Sequence, residues 1–75
     1  MIAERIKMLR ENQHLSQTAL SKRLGITRSS INAWEMGIST PSTTYLVELS
    51  QIFHVSIDYL LGLDKNVSLD ITGLD

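Results

Sequence analysis

Apolar residues recur at helical spacing through most of the chain. Ile2, Ile6 and Leu9 are separated by four and three positions with charged residues between them, which predicts an amphipathic helix ending near Gln13. A second helix is predicted after Ser16, with its apolar stripe at Leu20 and Leu24. Ser16 can cap this helix, and Gly25 suits the left-handed position that ends it.

A third helix is predicted over residues 28–36. Thr27 can cap it, and Gly37 follows its end. At about 100° per residue, Thr27, Ile31 and Trp34 are expected to point inward. Trp34 is therefore interpreted as a core residue and not as a platform for stacking on a base.

Two more helices complete the predicted globule. Ser42 precedes a helix over 43–53, and Ser56 precedes a short one that ends at Gly62. The prediction is an all-α fold, a compact five-helix bundle in residues 1–63. Helices 2 and 3 are joined by a three-residue break that contains glycine, which is typical of a helix-turn-helix.

The C-terminal tail, residues 64–75, has a different pattern. Val67, Leu69 and Ile71 alternate with polar residues, which is the period of a half-buried strand. A lone strand cannot satisfy its own backbone, so the tail is expected either to be disordered or to form a short β-strand that pairs with its copy in a homodimer.

Composition narrows the class of protein. The 75 residues fit one domain, and the chain has no cysteine for disulfides or thiolate metal sites. No apolar run approaches the roughly 20 residues of a membrane span, and no signal peptide is evident, so a cytoplasmic protein is expected. His14 and His54 have no acidic cluster beside them, and no hydroxyl has an evident base. We therefore expect no catalytic residue, metal, cofactor or small-molecule ligand, and the protein is not expected to be an enzyme.

Charge is distributed unevenly along the chain. The net charge of -1 does not by itself indicate a nucleic-acid partner. However, residues 17–37 carry Lys22, Arg23 and Arg28 against Glu35 alone, whereas the tail carries three aspartates against one lysine. Any surface that faces an anion is therefore local.

The outer face of the third helix has an unusual composition. Opposite Ile31 and Trp34, the helical period places Arg28, Ser29, Asn32, Ala33 and Met36. Arginine can donate to guanine O6 and N7, asparagine can pair with adenine N6 and N7, serine can serve either base, and alanine can contact a thymine methyl. This set predicts a helix that reads bases in the DNA major groove.

The chain resembles the Cro/repressor-type helix-turn-helix domains, the lambda-repressor-like or xenobiotic-response-element family. The resemblance is carried by "LRENQHLSQ", by "TRSSINAWEMG" and by "PSTTYLVELSQIFHVSIDYLLG". It implies a transcriptional regulator, most often a repressor, that binds a palindromic operator in double-stranded DNA as a homodimer. Where the family usually has alanine, this chain has Ser21, whose hydroxyl needs a hydrogen-bond partner.

The resemblance also assigns roles to individual residues. It implies base reading by Arg28, Ser29, Asn32 and Ala33. It implies phosphate contacts at Gln17, Thr27, Ser30, Thr40, Ser42, Thr43 and Thr44. Glu35 is expected to pair with Arg10, although an exposed acid that reads cytosine is an alternative.

A second function remains open at this stage. Many relatives have lysine or arginine in the loop after the third helix, but here that loop is rich in hydroxyls. The alternative is a protein-interaction module, such as an antitoxin or assembly factor, with the same fold and weak or no DNA binding.

Overall fold

The computed structural model describes residues 2–63, which form a bundle of helices. The helices are α1 (Ile2–Asn12), α2 (Gln17–Leu24), α3 (Arg28–Glu35), α4 (Thr43–Phe53) and α5 (Ile57–Leu61). This confirms the prediction of an all-α fold with five helices. No strand occurs within residues 2–63, and the possible C-terminal strand lies outside the described residues.

The predicted caps explain where most helices begin. The hydroxyls of Ser16, Thr27 and Ser56 each accept a hydrogen bond from the backbone N–H three residues further on. Ser42 occupies the same position before α4, but its side chain makes no capping hydrogen bond. Helices α1 and α3 each end one residue earlier than the pattern predicts, at Asn12 and Glu35.

Three of the helices end in a left-handed residue. Gly25 ends α2 with φ of 72°, and Gly62 ends α5 with φ of 78°. At the end of α4 the left-handed residue is His54, with φ of 57°. The backbone N–H of His54 donates to the carbonyl of Ser50. Because this residue is not glycine, the sequence does not indicate a left-handed helix end here.

Every helix contributes to one apolar core. Its buried residues are Ile6, Leu20, Leu24, Ile31, Trp34, Leu49, Phe53 and Leu60. Ser21 is buried beside them, and its hydroxyl donates to the Thr18 carbonyl at 2.7 Å, which supplies the partner that a buried hydroxyl needs. No helix in residues 2–63 is both long and apolar enough to cross a bilayer.

One orientation predicted from the helical period is wrong. Thr27 is exposed and does not point inward with Ile31 and Trp34. It lies before the first helical residue, with ψ of 155°, so the rotation of 100° per residue does not extend back to it. Its hydroxyl turns instead to the N–H of Ser30.

Candidate nucleic-acid interface

The turn between α2 and α3 orients the third helix. The N–H of Gly25 donates to the Lys22 carbonyl at 3.3 Å, and that of Ile26 donates to the Ser21 carbonyl at 3.0 Å. These bonds close the end of α2, and the chain then enters α3 through the Thr27 cap. Because the buried faces of both helices join one core, the opposite face of α3 is directed to solvent.

That outer face presents side chains that interact little with the rest of the protein. Arg28, Ser29 and Asn32 are exposed, and Ala33 is half-buried. Within residues 2–63 no ion pair or side-chain hydrogen bond involves Arg28 or Ser29. Their donors are therefore available to a ligand.

Thr27 and Ser30 use their hydroxyls locally. The two hydroxyl oxygens lie 3.1 Å apart, and the Thr27 oxygen also accepts from the Ser30 N–H at 3.3 Å. Thr27 is exposed and Ser30 half-buried, at the same end of the helix as Arg28. Both lie at the N-terminus of α3, where unpaired N–H groups favour an anion.

An open groove of about 500 Å³ runs between α3 and the start of α4. The lining residues are Ile26, Ser29, Ser30, Ala33, Trp34, Ser39, Thr40, Ser42 and Tyr45. Trp34 and Tyr45 form its aromatic part, with ring centroids 5.6 Å apart and planes tilted by 48°. The groove thus combines an aromatic wall with several hydroxyl groups.

The predicted phosphate contacts after α3 are near this groove. Thr40 and Ser42 line it, whereas Thr43 and Thr44 are exposed in the first turn of α4 and are not part of the lining. Residues 38–63 contain no lysine or arginine. The side-chain donors that line the groove are hydroxyl groups and the indole N–H of Trp34.

Gln17 is the first residue of α2, and its half-buried side chain is directed into the protein. Its Nε2 donates to Glu35 Oε1 at 3.0 Å and to Asn32 Oδ1 at 3.3 Å. These bonds use both N–H groups of the amide, which are its only donors. The Gln17 backbone N–H lies in the first turn of α2, where it has no intrahelical acceptor.

Arg10 and Glu35 join α1 to the end of α3. Arg10 Nε donates to Glu35 Oε2 at 2.6 Å, and Arg10 Nη2 donates to Glu35 Oε1 at 3.0 Å. The Glu35 side chain is 4% exposed and faces Arg10. Arg10 Nη1 also donates to the Leu15 carbonyl at 2.8 Å, which ties the end of α1 to the start of the helix-turn-helix.

Electrostatics keep this pair ionised. Burial raises the pKa of Glu35, but hydrogen bonds from Arg10 and Gln17, with the positive charge of Arg10, outweigh it and hold that pKa below the usual glutamate value. The hydrogen bond with Glu35 raises the pKa of Arg10. Glu35 is thus a carboxylate at neutral pH, and its oxygens act only as acceptors.

The histidines and acids form no cluster suited to a metal within the described part of the chain. His14 and His54 are both exposed, at the ends of α1 and α4. Both have positive φ, at 58° and 57°, so their structural role is in the turns that follow these helices.

Two features of this surface are not evident from the sequence pattern. The hydrogen bond from Gln17 to Asn32 joins residues 15 positions apart, and the groove forms only when α4 packs beside α3. The polar residue at the start of α2 gives only a weak indication of the hydrogen bond between Gln17 and Asn32. No periodicity signals the second, because it depends on how separate helices pack.

Comparison with known proteins identifies relatives among bacterial and phage regulators. The family model described as "Helix-turn-helix" matches residues 6–60. The HTH-type transcriptional regulator YqaE of Bacillus subtilis is 38% identical over 66 residues, covering 88% of this chain and 57% of that protein. The repressor protein C2 of Salmonella phage P22 is 34% identical over 64 residues, covering 85% of this chain and 30% of that protein.

An antitoxin is also among the relatives. PezA of Streptococcus pneumoniae is 37% identical over 65 residues, covering 87% of this chain and 41% of the antitoxin. The chain thus spans little more than half of YqaE and less of the other two. No solved structure matches it. The family match covers the core and both helices of the candidate interface, and the chain belongs to the helix-turn-helix family.

Proposed function

We propose that this protein is a sequence-specific DNA-binding transcriptional regulator, in which α3 reads the major groove. The observation that carries the proposal is the outer face of α3, where Arg28 and Ser29 are exposed without protein partners and Asn32 lies beside them. An exposed helix usually carries solvated charges, whereas these groups match the donors and acceptors of base edges.

Phosphate contacts would position this helix without reading sequence. Thr40 and Ser42 in the groove, with Thr43 and Thr44 in the first turn of α4, offer hydroxyls for this purpose. At the start of α2, the backbone N–H of Gln17 is the donor suited to phosphate, because its side-chain donors are used within the protein. Thr27 caps α3 and Ser30 lies in its first turn, so both are at the N-terminus of that helix.

The regulator is proposed to act as a homodimeric repressor on a palindromic operator. One helix of eight residues spans only a few base pairs, whereas two related by symmetry read both halves of a palindrome. The similarity to the phage repressor C2 supports repression, in which the bound dimer occludes a promoter.

Binding selection with paired arginine variants tests the proposal. A preferred duplex is selected from a random DNA pool, and affinities for it and for a scrambled duplex are then measured. Arg28→Ala is expected to weaken the binding free energy for the preferred duplex by about 1–3 kcal/mol, because a guanine contact is lost. Binding to the scrambled duplex should change little. The readout is the ratio of the two affinities.

Arg23→Ala is the matched control, since Arg23 is an exposed arginine on α2 and its removal changes the net charge equally. This variant is expected to lower the affinity for both duplexes by the same factor. Equal losses for Arg28→Ala would make Arg28 a phosphate contact. A wild-type chain that selects no sequence would refute the proposed function.

The second candidate is a protein-interaction module, favoured by the net charge of -1 and by the similarity to the antitoxin PezA. A salt titration with random duplex distinguishes the two. A DNA-binding protein loses affinity steadily as log salt rises, because bound counterions are released. An interaction module binds no duplex even at low salt.

A further inference from the structure

Three polar side chains connect the interior of the protein to the outer face of α3. Gln17 Nε2 lies 3.0 Å from Glu35 Oε1 and 3.3 Å from Asn32 Oδ1. Glu35 is also held by two nitrogens of Arg10. We call the hydrogen bonds that join Glu35, Gln17 and Asn32 the amide link.

Chemistry fixes the direction of both hydrogen bonds in the amide link. Glu35 is ionised beside Arg10 and can only accept, so the Gln17 group that faces it is the NH₂ group. The second N–H of that group faces Asn32. Only the Asn32 carbonyl oxygen can accept it, because two NH₂ groups in contact would leave donors opposed. Asn32 is therefore held with Oδ1 toward Gln17.

This orientation leaves the Asn32 amide nitrogen as the free part of the side chain. Asn32 is exposed, and its Nδ2 donates no hydrogen bond within residues 2–63. To contact adenine in the usual two-bond manner, Asn32 would have to accept from N6 through Oδ1 while donating to N7. In the observed arrangement Oδ1 is turned toward Gln17, and one of its two lone pairs already accepts from the Gln17 amide.

We propose that the amide link makes Asn32 a hydrogen-bond donor to the DNA and that Gln17 is the positioning residue that sets this polarity. The inference rests on the proposed function. Guanine presents two acceptors in the major groove, O6 and N7, and its edge matches the two N–H bonds of Nδ2. Asn32 therefore reads guanine, and the adenine pairing expected from residue type alone is replaced.

Cytosine is the base that this polarity disfavours most. In the major groove it presents the N4 amino group, which is a donor, and a donor facing Nδ2 would lose a hydrogen bond on each side. Glu35 is part of the amide link because it accepts from Gln17 and so orients its side chain. The ion pair of Glu35 with Arg10 therefore affects base preference indirectly, through Gln17 and Asn32.

The experiment uses the full chain and selection from a random duplex pool. The base pair read by Asn32 is the one whose preference is lost in Asn32→Ala, and the wild type is expected to require guanine there. Replacing that guanine with 7-deazaguanine removes the N7 acceptor and should lower affinity by on the order of tenfold. Asn32→Asp, which has acceptors only, should shift the preference to cytosine.

Gln17→Met tests the amide link itself. Methionine keeps the length of the side chain and removes its donors, so Asn32 is released and can present Oδ1. The preference at that base pair should broaden from guanine to guanine and adenine, with other positions unchanged. Gln13→Met is the matched control, because Gln13 is exposed in the turn after α1, and it should leave every preference unchanged. Thermal unfolding of each variant separates a change in reading from a loss of fold.

The outcomes separate this inference from the proposed function. Wild-type protein that binds no duplex refutes both. Sequence-specific binding refutes the inference alone if the Asn32-dependent base is adenine, if Asn32→Ala alters no preference, or if folded Gln17→Met keeps the wild-type preference. Guanine in the wild type, with adenine gained in Gln17→Met, supports the inference.

Discussion

Glu35 accepts three hydrogen bonds, two from Arg10 and one from Gln17, with a side chain that is 4% exposed. Its charge is stabilised only while these donors are present, because a buried carboxylate without partners is costly. The side chain of this one residue thus links α1, α2 and α3 by hydrogen bonds. It also stands directly behind the surface proposed to read DNA.

This environment predicts how stability depends on pH. Because the pKa of Glu35 is lowered on folding, its contribution to the free energy of unfolding is fully present above the ordinary glutamate value of 4.5 and is lost as pH falls through the folded pKa. The free energies of unfolding of the wild type and of Glu35→Gln, measured in urea, should differ by roughly 2 kcal/mol at neutral pH. Within residues 2–63, the variant leaves Arg10 with only the exposed Glu11, at 3.9 Å, as a charge partner.

The same two proteins provide the control. Their difference in unfolding free energy should be constant above pH 6 or so and should shrink as the carboxylate is protonated. A difference that is unchanged down to acid unfolding would contradict the role assigned to Glu35.

At the residue scale, the sequence predicts the chemical character of a surface better than it predicts specific side-chain contacts. The resemblance to a known family implied the pairing of Arg10 with Glu35, and the composition of α3 indicated a polar outer face. The bond from Gln17 to Asn32 could not be predicted, because it depends on two side-chain rotamers on different helices. Residue type alone therefore suggested an adenine contact for Asn32.

At the scale of elements, two helix ends share one backbone conformation but differ in residue type. Gly25 ends α2 with φ of 72°, and His54 ends α4 with φ of 57°. Side chains with a Cβ are strained in this region, whereas glycine is not. A Cβ added at Gly25 would meet no atom within 4 Å, so only the backbone conformation disfavours substitution there.

Substitutions at these two ends should therefore have opposite effects. Gly25→Ala is expected to lower the free energy of unfolding by about 1 kcal/mol, because alanine is strained at positive φ. His54→Gly is expected to raise it by a smaller amount, roughly 0.5 kcal/mol, because glycine relieves the strain but adds entropy to the unfolded chain. Thermal and urea unfolding measure both changes.

Gly25→Asn serves as the control, since asparagine tolerates the left-handed region. It should lower the free energy of unfolding by less than Gly25→Ala does. If Gly25→Ala and His54→Gly change stability in the same direction, the strain argument fails. These two ends also show what the sequence reveals about elements. Caps and apolar spacing predicted all five helices, and α4 ends at Phe53 as the pattern predicts. The left-handed conformation of His54 was not predicted, because histidine carries no strong signal for it.

At the scale of the whole molecule, the described residues form one folded unit. Helices α1 to α5 supply a complete apolar core within residues 2–63. How two copies associate could not be predicted from periodicity, because a symmetric interface is a relation between copies and leaves little pattern in one chain. The sequence suggests the alternating residues Val67, Leu69 and Ile71 for such an interface, and they lie outside the described residues.

The proposed dimer predicts the effect of removing the tail. A chain that ends after Gly62 keeps all five helices and every residue of the core, so it should remain folded. If the tail holds two subunits together, this chain should sediment as a monomer and lose most of its affinity for a palindromic operator. Its affinity for a half-site should be unchanged, because two recognition helices about 34 Å apart are needed to bind both halves together.

The 75-residue chain with Val67, Leu69 and Ile71 replaced by serine is the control for chain length and charge. It should behave as the truncated chain does, because it loses the apolar side chains that a paired strand would bury. A truncated protein that still sediments as a dimer would move the interface to α4 and α5. The partly exposed Val47 and the half-buried Leu61 are then the positions to substitute next, because a dimer held there should separate when a charge is introduced.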